Sequence, residues 1–204
     1  MKTILHEGDI PTSVKIGNSI AIDSETMGLN PFRDRLCLVQ LSTGNNICHL
    51  IKYKKENKIK SPNLAKILKN KKILKIFHYA RFDVAVLNYN LNVPVNSIYC
   101  TKIASKLVRT FTDKHGLKDL CKEFLDIEIS KLQQSSDWGK DKLTAAQIKY
   151  AGTDVLYLHK IKQILDKMLI RENRVELANA CFNFISYRTK LDLLGWEQTD
   201  IFSH

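Results

Sequence analysis

Ile20-Ala21-Ile22-Asp23-Ser24-Glu25-Thr26 is the stretch around which the rest of the chain can be organised. Its apolar start reads as a buried strand, and it ends in two carboxylates one residue apart. Side chains alternate across a strand, so Asp23 and Glu25 leave the same face together. Two like charges held that close, with no cation in the same stretch, are costly unless something neutralises them, and a hard divalent metal does so. Spacing alone is a weak sign, because Asp126-Ile127-Glu128 repeats it. That second pair lies beyond a helix in a polar segment and reads as surface charge. Asp23 and Glu25 differ in the apolar strand before them and the Gly28-bearing turn after them.

Residues 1–18 are polar and broken by Gly8, Pro11 and Gly17, with room for one short strand. Segments 19–23, 36–42 and 47–51 read as strands, the last two joined by a hairpin turn at Thr43-Gly44-Asn45-Asn46. Residues 53–60 form a lysine-rich loop. Ser61-Pro62 reads as an N-cap followed by proline in the first turn, opening a helix over 63–69. Strands at 73–77 and 98–100 then alternate with helices at 81–89, 101–108 and 117–125. Thr144-Ala145-Ala146-Gln147 matches a capping box and starts one long helix running towards Met168. A last helical region, 172–189, precedes a tail over 191–204. Three early strands followed by strand–helix alternation predict one α/β domain, 1–204. Its catalytic core spans about 19–170, with a helical C-terminal extension over about 171–204.

The chain has 204 residues, enough to bury one substantial core. No run of 18 apolar residues is present, so no membrane span is expected, and the N-terminus lacks the apolar centre of a secretory signal. The five cysteines (Cys37, Cys48, Cys100, Cys121 and Cys181) are scattered, with no C-x-x-C pair. They read as free thiols in a cytoplasmic, reducing setting, which excludes a disulfide scaffold or a zinc site. Lys and Arg number 32 against 21 Asp and Glu, a net charge of +11 that makes a polyanion such as nucleic acid a natural partner.

Two further acids stand out. Asp83, in His78-Tyr79-Ala80-Arg81-Phe82-Asp83, opens a helix directly after a strand, where the helix dipole alone would favour an acid. Asp154, in Tyr150-Ala151-Gly152-Thr153-Asp154, lies in an apolar helical pattern where a solvated charge is harder to explain. The i, i+4 spacing puts Tyr150 and Asp154 on one helix face.

In this order, from about Ile20 to about Ile161, the three segments resemble the exonuclease motifs of the DEDD superfamily. The tyrosine places the chain with the DEDDy branch, and more narrowly with ribonuclease D. In the histidine-bearing branch a histidine stands five positions before the last acid, and here that position is Lys149. Segment 131–138, ending Gln134-Ser135-Ser136-Asp137-Trp138, also resembles the loop before the third motif. The chain is too short for the additional helical nucleic-acid-binding domains of multidomain ribonuclease D. Its length, with the tail segments Leu191–Trp196 and Asp200–His204, is similar to the nanoRNase C family, short single-domain alpha-proteobacterial enzymes that remove very short RNAs.

The resemblance implies a ribonuclease H-like exonuclease fold, a mixed five-stranded sheet flanked by helices. It implies a metal-dependent 3′→5′ exoribonuclease that hydrolyses short oligoribonucleotides, down to dinucleotides, to nucleoside 5′-monophosphates. Two divalent cations, Mg²⁺ or Mn²⁺, would be held by Asp23, Glu25, Asp83 and Asp154, with Asp23 bridging and Asp83 acting largely through water. Tyr150 would orient the attacking water.

Substrate contacts are expected from Thr26, Met27, Gly28 and Leu29. Leu29 aligns with a leucine that wedges between terminal bases in related oligoribonucleases, and an ordinary core leucine is the alternative. His78, Gln134, Ser135 and Ser136 are candidates for phosphate or base contacts, against a strand-end histidine and a solvated loop. Asp137 and Trp138 are expected to hold that loop. The family implies homo-oligomers, an octamer, with the C-terminal extension either packing on its own domain or joining copies. Rival readings are a broader ribonuclease D-like RNA 3′-end processing enzyme, a DNA exonuclease, and an RNA-binding module that lost catalysis. The presence of all four acids and the tyrosine argues against the last.

Overall fold

Strands β1 (Lys2–Glu7), β2 (Ser19–Thr26), β3 (Leu36–Ser42), β4 (Ile47–Lys52), β5 (Leu74–Phe77) and β6 (Ile98–Cys100) form one mixed sheet in the order β1-β4-β3-β2-β5-β6. The computed structural model describes residues 2–55, 58–130 and 132–203. Glu56 and Asn57 of the lysine-rich loop, Lys131 at the head of segment 131–138, and the end residues Met1 and His204 lie outside the described residues. The β2–β3 and β3–β4 pairs are antiparallel, whereas β1–β4, β2–β5 and β5–β6 are parallel. The five expected strands are present, and β1, drawn from the polar 1–18 segment, adds a sixth at the β4 edge. β3 is buried along its whole length, which is why Leu36 to Leu41 runs nearly unbroken in apolar residues rather than alternating.

Helices α1 (Pro62–Lys69), α2 (Ala80–Leu91), α3 (Thr101–Val108), α4 (Leu117–Leu125), α5 (Ala145–Leu156), α6 (Leu158–Arg171) and α7 (Val175–Leu191) cover the sheet, and a π-helical turn (Asp192–Trp196) follows. Helix α5 packs on β2, β3 and β4, while α2 packs on β2, β3, β5 and β6. The single helix expected from Thr144 to Met168 is two. The chain breaks at Tyr157 (φ −99°, ψ −7°), between α5 and α6. Buried Ala151, Val155, Leu158, Ile161, Leu165 and Leu169 continue one apolar stripe across the break, so the sequence reads as unbroken. The two halves nonetheless pack on different neighbours, α5 on the sheet's centre and α6 on α3, α4 and β5, and the bend serves both.

Ser61 occupies the N-cap position of α1, but its side chain does not cap the helix. Asp9 does so instead. Its carboxylate accepts from the backbone N–H groups of Asn63 (2.7 Å) and Leu64 (3.0 Å) and from the Ser61 hydroxyl (2.7 Å). A full negative charge complements the helix dipole better than a hydroxyl does. The capping box opening α5 forms as expected, with the Gln147 N–H donating to Thr144 Oγ1 (3.2 Å) and the Thr144 N–H to Gln147 Oε1 (2.9 Å).

Asp126 and Glu128 are exposed and share Lys122, as surface charge does. The cysteines are free, and among the described residues no helix is long and apolar enough to cross a membrane.

The C-terminal extension is helical and packs back on the domain through α7 against α2. Beyond α7, the half-exposed Arg81 grips the buried Asp192 bidentately at 2.7 Å, and Arg188 donates to the same carboxylate at 2.6 Å. Burial pushes the Asp192 carboxyl up, but these two guanidinium groups outweigh it and hold the carboxyl below its ordinary range.

Candidate active site

The β2–β3 ladder sets the floor of the site. Asp23 faces Gln40 across it, and Asp23 and Glu25 leave the same face of β2. Helix α5, lying across β2, brings Asp154 and Tyr150 to the same place. One carboxylate oxygen from each of Asp23, Glu25 and Asp154 lies within 4.8 Å of the others. Asp83 stands beside this triad in the first turn of α2, 3% exposed, and accepts a 2.6 Å hydrogen bond from the Ser24 hydroxyl. The chain reaches α2 through Tyr79, which adopts the left-handed region (φ 67°, ψ 45°). That conformation costs a non-glycine residue about 1–2 kcal/mol and turns β5 sharply into the helix.

These acids line a cavity of about 630 Å³. Its wall contains all thirteen residues singled out in the sequence: Asp23, Glu25, Asp83, Tyr150 and Asp154, together with Thr26, Met27, Gly28, Leu29, His78, Gln134, Ser135 and Ser136. Leu29 is 83% exposed, so it is not an ordinary core leucine. Thr26 Oγ1 donates to the Gly28 carbonyl, closing the turn after β2. A Cβ on Gly28 would run into the Asp34 carboxylate, so any larger residue there would force that side chain to shift. His78 Nδ1 meets Thr101 Oγ1 at 2.9 Å, tying the strand end to α3.

The segment bearing Gln134 to Ser136 is held from behind. Gln147 Nε2 donates to Ser136 Oγ and to the Asp137 carbonyl, both at 3.1 Å. Arg35 Nη2 donates to the Gly139 carbonyl (3.1 Å) and Lys52 Nζ to the Lys140 carbonyl (2.5 Å). Asp137 accepts the Gly139 N–H at 2.9 Å. Trp138, 2% exposed, lies with its ring centroid 6.0 Å from that of Tyr150.

Several lining or supporting residues escaped the sequence reading. Lys102 sits 4.3 Å over the Tyr79 ring, and both line the cavity with Lys118. Nothing in a lysine-rich chain singles out these two lysines. Gln40 left a legible signal, the one amide in an otherwise apolar strand run. Arg35 and Lys52 left none, because their partners lie 104 and 88 positions away in sequence, and Gln147 was legible only as a capping-box residue, not as a support for the loop.

Burial pushes the Asp23 carboxyl up to about 7. Glu25 is pushed up to about 10, first by burial and then by repulsion from Asp23, Asp154 and Asp83. Asp83 is raised well above its ordinary value by burial and by Asp23. The Tyr150 phenol is raised likewise, by burial and then by Asp154, Glu25 and Asp23. Such a cluster cannot be fully ionised at neutral pH without a cation among its oxygens. An all-oxygen, carboxylate donor set fits Mg²⁺ or Mn²⁺ and not a soft metal.

Comparison with known proteins agrees with this geometry. A family model for the 3′-5′ exonuclease domain matches residues 8–170. Ribonuclease D of Gluconacetobacter diazotrophicus is 29% identical over 157 residues, covering 77% of this chain and 39% of that protein. The chain thus spans about two fifths of the length of such curated relatives. Brucella melitensis NrnC, solved with bound Mg²⁺, is 48% identical over 100% of both chains with a TM-score of 0.94. NrnC solved bound to pGG is 49% identical, covering 100% of this chain and 99% of that one, with a TM-score of 0.95. Sheet order, flanking helices and these superpositions give the ribonuclease H-like exonuclease fold. The chain belongs to the 3′-5′ exonuclease family, in the ribonuclease D-like group that includes NrnC.

Proposed function

We propose that this protein is a metal-dependent 3′→5′ exoribonuclease acting on very short RNAs, down to dinucleotides, and releasing nucleoside 5′-monophosphates. The observation that carries the reading is the meeting of Asp23, Glu25 and Asp154 within 4.8 Å on the floor of one cavity, with Asp83 and Tyr150 in its wall. Asp23, Glu25 and Asp154 would hold one divalent cation, and Asp23 would share a second with Asp83. Two cations so bound would supply an activated water and charge stabilisation at the leaving 3′-oxygen. Tyr150, its phenol shifted upward, stays protonated through the neutral range and orients the attacking water rather than serving as its base. The exposed Leu29 offers an apolar edge to a terminal base, and Lys102 and Lys118 bring positive charge to the phosphates.

The cavity volume favours a short substrate, since it falls among sites of about 300–1,000 Å³ that enclose small ligands. NrnC, similar over its whole length, was solved with pGG bound. The test is a cleavage series on a 5′-labelled diribonucleotide, a longer RNA and a DNA of equal length. The diribonucleotide should turn over fastest. Equal or faster cleavage of the long RNA would move the protein to ribonuclease D-like 3′-end processing, and of the DNA to a DNA exonuclease.

Self-association into an octamer is part of the same reading. Phe184, Tyr187 and Phe202 present exposed rings on α7 and the tail, a surface suited to a second copy. Five free thiols accord with a reducing, cytoplasmic setting.

A further inference from the structure

Gln40 lies at the centre of β3, fully buried, in register with Asp23 on β2. Its Nε2 is 3.3 Å from Asp23 Oδ2 and 3.4 Å from Glu25 Oε1, so a single amide NH₂ spans both carboxylates. An amide nitrogen has two hydrogens to give, matching the two acceptors. Its Oε1 is buried and has no partner. With both carboxylates ionised, as a metal-bound site requires, this orientation is the favoured one, because the flipped amide would set Oε1 against two carboxylate oxygens.

A buried acceptor without a partner is destabilising, and packing alone does not demand it. Gln40 has Val39 and Leu41 as strand neighbours, and a methionine or leucine would suit the same apolar layer. The amide is retained despite a cost that an apolar side chain would avoid.

We infer that Gln40 is a positioning residue for the metal site: by engaging Asp23 Oδ2 and Glu25 Oε1 it steers both carboxylates and leaves the other oxygen of each for metal. A neutral donor is the group that can do this. Lysine would neutralise the floor and compete with the cation, and glutamate would add a further negative charge without a hydrogen to share. Both separations lie just beyond the usual range of about 2.7–3.2 Å for N–H···O, so Gln40 steers the carboxylates without tying them up. The inference rests on the metal reading above.

The experiment is calorimetric titration of Mg²⁺ and of Mn²⁺ into the whole protein without substrate, comparing wild type with Gln40→Met and Gln40→Leu. Melting curves establish that each variant is folded. Loss of a group that orients metal ligands typically weakens affinity 10–100-fold, and the long bonds here place the expected loss near the lower end, about tenfold. The melting temperature without metal should stay level or rise, since the orphaned acceptor is gone. At saturating Mg²⁺ the variants should recover turnover, with the dinucleotide KM changed less than about twofold. A folded variant that binds both cations as wild type does would overturn the role of Gln40, as would a loss confined to the dinucleotide KM. A wild-type protein that takes up neither cation would overturn the metal reading, and this role with it.

Discussion

Asp23, Glu25 and Asp154 project from a sheet ladder and a helix packed across it, whereas Leu29 and the Gln134–Ser136 segment project from loops. The floor is over-determined. Each acid sits in a regular element whose register and neighbours leave it one place to go. The rim hangs on a few hydrogen bonds from Arg35, Lys52 and Gln147, and Leu29 stands almost wholly in solvent. On the proposed reading, the floor holds charge that must not move, and the rim meets a substrate that must enter and leave. Damage to the first should fall on turnover, and damage to the second on substrate binding.

The sharpest way to break this division is Asp23→Asn. It should lower kcat on the order of 10³-fold or more while the protein stays folded, because on the proposed reading it removes a charge that both cations would share. The same change should raise the melting temperature in chelator, since it deletes one of several crowded, partly desolvated carboxylates that repel one another. A variant with turnover near wild type would dissolve the distinction.

Leu29→Ala is the complementary change at the rim. Base contacts of this kind contribute about 1–3 kcal/mol, so the dinucleotide KM should rise about 5–100-fold, with kcat little changed and the melting temperature unmoved. A comparable fall in kcat would mean that the rim also governs the chemistry.

A third effect, confined to the floor, is the pH dependence of stability in chelator. Asp23 and Glu25 titrate near 4 when unfolded and are raised to about 7 and about 10 when folded, so between those limits the folded state holds the extra protons. Stability therefore falls as pH rises, beginning above about 4, with the Asp23 share complete above 7 and the Glu25 share continuing towards 10. Melting curves from pH 5 to 9 should shift downward in chelator and flatten with saturating Mg²⁺. Leu29→Ala should leave both slopes as in wild type.

The same division explains what could be read from sequence. Asp23 and Glu25 were visible because a strand's period of two and an apolar run make a local pattern. Asp83 and Asp154 were visible because each sits at a definite place in a helical one, and the family resemblance joined them. β1 was only half visible, since it is a polar edge strand whose parallel partner β4 lies some 45 residues on. The bend at Tyr157 was hidden by an apolar stripe that crosses it without a change of phase. Asp9 capping α1, and Arg35 reaching the Gly139 carbonyl, join residues 54 and 104 positions apart, and no local pattern encodes such a bond. Gln40 lay in between. It went unread, although it is the one amide in β3, because its meaning depends on which residue of β2 it faces.

Arg81 binds Asp192 from a position two residues before Asp83, so the first turn of the helix that supplies an acid to the floor is also the anchor of the chain's last segment. A deletion that begins at Asp192 would leave the guanidinium groups of Arg81 and Arg188 side by side without their shared anion. Its first consequence would then be unbalanced positive charge one half-turn from a carboxylate of the site, felt in catalysis before it is felt in packing.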